Sequence, residues 1–134
     1  ASSDWVSAVR TATGGRGADV VVDPVGGQAF AGSLRCIAPE GRLLVIGFAA
    51  GAIPTVAANK LLLRSIDVIG VNYGGLLQID QDYPAVAHAD LMAWRAAGAL
   101  HPVPGQTFEL AEGARALGDL AARRATGKPV LRVR

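Results

Sequence analysis

The chain has 134 residues, 51% apolar and 18% charged, a composition that fills the core of one domain and excludes disorder. A net charge of +2 gives no electrostatic footprint for nucleic acid, and one cysteine with two histidines points to neither a disulfide framework nor a metal site. No apolar run reaches membrane length and Ala1-Ser2-Ser3-Asp4 lacks a signal-peptide pattern, so a cytoplasmic α/β domain is the expected class.

Ser3 or Asp4 is placed to cap a first helix whose apolar positions Trp5, Val6 and Val9 have helical spacing, and Gly14-Gly15 stops it. Asp19 to Asp23 is a β-branched run ending at a proline, the pattern of a strand buried on both faces. Pro24-Val25-Gly26-Gly27 turns the chain into a helix with Phe30, Leu34 and Ile37 on one side, ended by Pro39-Glu40-Gly41. A second buried strand is expected over Arg42 to Gly47, a short helix over Val56 to Leu63, and a third strand over Ser65 to Val71. Asp82 then caps a longer helix with Pro84 in its first turn and Tyr83, Ala87, Leu91 and Trp94 as its apolar stripe. Beyond the His101–Gly105 connector come a short strand over Thr107 to Glu109 and a last helix with Leu110, Ala114, Leu117 and Ala121 facing inward. On that helix Glu112, Arg115, Asp119 and Arg123 alternate in sign as a solvated face does, and a final strand runs from Pro129 to Val133 with Leu131 and Val133 set against Arg132 and Arg134.

Buried strands alternating with helices imply parallel βαβ units, whose ligands bind outside the carboxyl ends of the strands. Those ends are Asp23–Gly26, Ile46–Ala49 and Val71–Gly74, each with a glycine that suits either a ligand's approach or an ordinary turn. Familiar motifs fail. Gly15-Arg16-Gly17 follows a helix and has no glycine at position 20, Gly127-Lys128 lacks the upstream P-loop glycine, and Ser33 sits in no nucleophile elbow. His88 and His101 read as solvated, Cys36 as a small core residue, and no residue reads as a catalytic nucleophile or base.

Taken together, the run Thr13 to Gly27, the segment Gly41 to Gly51, Ile53-Pro54, Asn59 to Leu63 and the end Arg123 to Leu131 resemble the medium-chain dehydrogenase/reductase superfamily. The branch they resemble is that of the zinc-independent, zeta-crystallin-like NADPH:quinone oxidoreductases. The resemblance implies the second half of a Rossmann-type doubly wound parallel sheet over residues 1–101. It also implies a strand-helix-strand segment over 102–134 that returns to a catalytic domain. On this reading the chain is the carboxyl-terminal part of a longer protein, with the glycine fingerprint and the residues that choose NADPH lying upstream.

The same resemblance assigns residues. Val25 lies beside the cofactor's ribose and nicotinamide, and the backbone of Ile46, Gly47 and Phe48 lines the nicotinamide pocket. Asn72 and Tyr73 form a wall shared by cofactor and substrate, with plain packing the other reading of Tyr73. Arg124 reaches the nicotinamide-side phosphate with help from Lys128, and the alternative for Arg124 is a solvated charge favoured by the helix dipole. Two functions remain open at this point. One is part of an NADPH-dependent reductase of quinones or enones that is not competent alone. The other is a non-enzymatic half-Rossmann module that dimerises or binds a nucleotide weakly. A homodimer through the Ile66–Val71 strand edge is expected in either case.

Overall fold

The computed structural model describes residues 4–133, so Ser3 as a cap and Arg134 at the final strand lie outside the described residues. The chain divides into two compact units, Ala1–Asp80 and Gln81–Arg134. Among the described residues no helix is long and apolar enough to cross a membrane.

The first unit opens with α1 (Trp5–Ala12), capped by Asp4, whose carboxylate accepts from the Ser7 amide and hydroxyl. Those two hydrogen bonds hold the Asp4 carboxyl below its usual range. β1 (Ala18–Asp23), α2 (Gly27–Cys36), β2 (Ile37–Val45), α3 (Ala58–Leu62) and β3 (Asp67–Gly70) follow. The strands form one parallel sheet in the order β1-β2-β3, with Val21 opposite Leu43 and Leu43 opposite Val68. Parallel βαβ connectivity and the edge position of β3 are therefore as the sequence implies.

The core of this unit is Phe30, Ile37, Leu43 and Ile66, with Val21, Leu34, Val45, Leu61 and Val68 packed against it. Residues of α2 and α3 both join this cluster, so both helices serve one face of the sheet. Among the described residues the opposite face is largely open, with only Leu44 half-buried on it. Val22 is 62% exposed, which corrects the expectation that β1 is buried on both sides. The reason is periodicity, since Val20 and Val22 alternate with Val21 and point away from the helices. Trp5 lies against α2 at Gly32, where a side chain would collide with the indole ring.

Several boundaries differ from the sequence reading. Ile37 belongs to β2 rather than to the preceding helix, because its backbone is already extended (φ −73°, ψ 143°). Pro39-Glu40-Gly41 does not end a helix but lies within β2 at a break in register, where Ala18 pairs with Ile37 and Val20 with Arg42. A bulge takes up the additional residues, with Glu40 at φ 60° and its amide donating to the Arg64 carbonyl at 3.1 Å. The helix α4 (Tyr73–Ile79) was not expected, since Gly74 and Gly75 argue against helix; Asn72 starts it by accepting from the Gly75 amide at 2.9 Å.

In the second unit α5 (Tyr83–Ala96) has Asp82 at its N-cap and Pro84 in its first turn, as expected, but none of its residues is buried. β4 (Pro104–Glu109) and β5 (Lys128–Arg132) pair in parallel, and α6 (Gly113–Ala121) connects them. Phe108 and Ala116 are the buried residues here, and Arg115 stacks over Phe108 at 5.4 Å from the ring centroid. The expected inward row of α6 does not hold, as Leu117 is 69% exposed. Its phase is reset by a 3₁₀ turn over Leu110–Glu112, closed by a reciprocal capping box between Glu109 and Glu112. A two-stranded sheet also covers only a narrow strip of helix, and that strip falls on Ala116.

Candidate functional site

The carboxyl ends of β1 and β2 are joined by a hydrogen-bonded seam that starts from Asp23. Its Oδ1 accepts from the amides of Val25 and Gly26, both at 2.9 Å, which bends the chain immediately after β1. Its backbone carbonyl accepts from the Ile46 amide at 2.9 Å and the Gly47 amide at 3.4 Å. The seam continues with Ala49 donating to Pro24 at 3.1 Å, Ala50 to Val25 at 2.9 Å and Gly27 to Ala52 at 3.2 Å. Gly26 takes φ 71°, and a side chain there would meet the Phe48 ring at 3.0 Å. The two loops are thus held as one surface. Asp23 is only 4% exposed, and its Oδ2 has no hydrogen-bond partner among the described residues.

Next to this seam is a cleft of about 390 Å³ lined by Val45, Ile46, Gly47, Phe48, Gly70, Val71 and Asn72. Among the described residues Asn72 is its one polar side chain, and that Oδ1 is already engaged by Gly75. An open, apolar cleft with two glycines in its wall suits one face of a flat, weakly polar ring. Ile46, Gly47, Phe48 and Asn72 are therefore brought together, and Val25 is tied to the same surface through its carbonyl bond to Ala50. Tyr73 begins α4 with its side chain about half exposed and is not part of the cleft lining.

Arg124 and Lys128 belong to the second unit. The Arg124 guanidinium donates to Asp119 Oδ1 from Nε at 3.0 Å and from Nη2 at 2.7 Å. Both stand at a small cavity of about 150 Å³ with Gln106, Phe108 and Thr126. Asp119 thus orients one edge of the Arg124 fork and leaves Nη1 unused by that pair. Lys128 is the first residue of β5. The sequence reading missed both Asp23 and Asp119. The signal for Asp23 is an aspartate ahead of Pro-Val-Gly-Gly, the composition of a side-chain-closed turn. Asp119 carries no such local signal, because its partner is five residues away past the helix end.

The residues set aside earlier behave accordingly. His88 and His101 are exposed. Cys36 is buried, and burial pushes its thiol up, away from the reactive thiolate.

A family model described as zinc-binding dehydrogenase matches residues 1–131. The chain is 37% identical over 126 residues to quinone oxidoreductase-like protein 2 of Bos taurus, covering 92% of this chain and 36% of that protein. It is 36% identical over 120 residues to a quinone oxidoreductase of Pseudomonas aeruginosa, covering 89% of this chain and 37% of that protein. Among solved structures, a mycobacterial protein in complex with NADPH superposes with a TM-score of 0.74 at 30% identity, over 96% of this chain and 40% of its own. The chain thus spans a little over a third of the length of these relatives. Although the family description names zinc, among the described residues no three His, Cys, Asp or Glu side chains are grouped to hold a metal ion, so they do not fit one.

Proposed function

Because this chain belongs to the zinc-binding dehydrogenase family, we propose that it is the carboxyl-terminal part of an NADPH-dependent oxidoreductase acting on quinones or enones, and not competent alone. The observation that carries this reading is the apolar cleft at the ends of β2 and β3, walled by Ile46, Gly47, Phe48 and Asn72. NADPH bound there supplies a hydride to the substrate. The chain's own residues bind, orient and exclude water. Ile46 and Phe48 cover the ring with carbon. Gly47 lets it approach the backbone closely, and the Asp23 seam keeps Val25 and Phe48 at a fixed separation. Residues 1–101 act in this reading as the nicotinamide-side half of a Rossmann domain, and 102–134 as the segment returning to a catalytic domain.

Arg124, oriented by Asp119, holds the nicotinamide-side phosphate with the aid of Lys128. In the full-length parent, Arg124→Ala is expected to weaken NADPH binding by about 1–3 kcal/mol, the usual worth of a charged hydrogen bond, with the melting temperature nearly unchanged. A cofactor titration checks this. Wild-type affinity in the variant would return Arg124 to the rank of a surface charge.

The protein also forms a homodimer through the Ile66–Val71 edge in this proposal. β3 pairs on one side only, with β2, and Asp67 is the one charge along that edge, so its free side is open to a second copy. Proline at Val68 or Ile69 removes a ladder donor and is expected to convert the dimer to monomer in light scattering. Unchanged dimers in both variants would exclude this edge.

A further inference from the structure

Between α2 and α3 lies a cavity of about 800 Å³ that none of the residues assigned to the cofactor lines. Its size is within the roughly 300–1,000 Å³ typical of small-molecule sites. The floor is apolar, built from Phe30, Ala31, Leu34 and Ile66. Three cations stand around it, Arg35, Lys60 and Arg64, and no aspartate or glutamate lines it among the described residues.

No carboxylate among the described residues of the lining pairs with these charges. Among the described residues neither Arg35 nor Lys60 forms an ion pair. Arg64 donates from Nη1 to the Leu34 carbonyl at 2.7 Å and from Nη2 to the Ile37 carbonyl. Carbonyls fix the guanidinium at the end of α2 without removing its charge, and three of its five N–H donors stay available. Three like charges around an apolar hollow repel one another, and an anion placed among them relieves that repulsion. Charge alone would select a phosphate, but a bare phosphate leaves the apolar floor wet. A head of one negative charge on an apolar chain satisfies both parts.

We propose that this cavity binds a medium-chain carboxylate, its head held by Arg35, Lys60 and Arg64 and its chain laid over Phe30, Leu34 and Ile66. The site is separate from the cleft at the strand ends, and its occupation does not depend on the function proposed above.

The test is calorimetric titration of the 134-residue chain with decanoate, decanol and inorganic phosphate, with amide NMR to locate binding. Decanoate is expected to saturate about tenfold or more tighter than either control, with shifts at Ala31, Leu34 and Lys60. Replacing both Arg35 and Lys60 by glutamine should cost decanoate about tenfold and leave decanol unchanged. Both positions are exposed, so the fold is not at risk in that variant. Ala31→Trp, which fills the hollow, should abolish decanoate binding with the circular dichroism unchanged. Equal affinity for decanol, phosphate binding as tight as decanoate, or an unaffected double variant would each overturn the proposal.

Discussion

Gly17→Ala is expected to destabilise the chain by about 2–5 kcal/mol, a large part of what a small domain has to lose. Two costs add at this position. Gly17 has φ 97°, a conformation that side-chain-bearing residues adopt only with strain. A methyl group there would also meet the Cys36 carbonyl oxygen at 2.5 Å and the Ala38 amide nitrogen at 2.9 Å. Both obstacles are backbone at the junction of α2 and β2, so neither can swing aside as a side chain would. The loss should appear as a lower urea midpoint with an unchanged slope. A midpoint within error of wild type would mean that the α1–β1 turn does not pack on this junction as described.

Phe30→Ala is expected to cost about 3–5 kcal/mol by leaving a cavity in the cluster that joins α2 to the sheet. Phe30 is 3% exposed and packs with Ile37 and Leu43 of the central strand β2 and with Ile66 at the approach to β3. Because the other sheet face is largely open, no second core among the described residues takes up the loss. Phe30→Leu keeps most of the apolar volume and should cost less than half as much. Equal losses for the two substitutions would place the energetic weight elsewhere.

The order of elements in the first unit could be read from the sequence because two independent signals agree there. Val20-Val21-Val22 and Leu43-Leu44-Val45 read as strands by residue type, and glycine or proline brackets each of them. The register break at Pro39-Glu40-Gly41 could not be read that way, since those residues end elements far more often than they bulge within one. The exposed face of β1 was equally hidden. Continuous Val residues say that a strand is apolar, not how many of its faces are covered. In α6 the alternating charges misled: Arg115 stacks over Phe108 and the Asp119 side chain is only 22% exposed, so this row lies beside the buried Ala116 while Leu117 faces outward.

The candidate site was legible in outline. Ile46, Gly47, Phe48 and Asn72 were named from resemblance, and they line one cleft because β2 and β3 are adjacent and parallel. What residue patterns alone left out is the seam that holds this surface, because most of it is main chain. The carbonyls of Asp23, Pro24 and Val25 do this work, and carbonyls leave no trace in residue identity. The Asp119–Arg124 pair was missed for a related reason, as its geometry depends on a left-handed Arg123 at φ 55° that reverses the chain after α6.

In the proposed function the cleft beside the Asp23 seam receives the nicotinamide end of the cofactor. Titration of the chain with reduced nicotinamide mononucleotide, followed by amide NMR, tests it most directly. Saturable shifts at Val25, Ile46, Gly47, Phe48 and Asn72 are expected, with further shifts at Arg124 and Lys128 from the phosphate and none at the five cleft residues from adenosine 2′,5′-bisphosphate, which represents the cofactor's other half. Shifts at these amides from the adenine half, or no shift from the nicotinamide half, would contradict it.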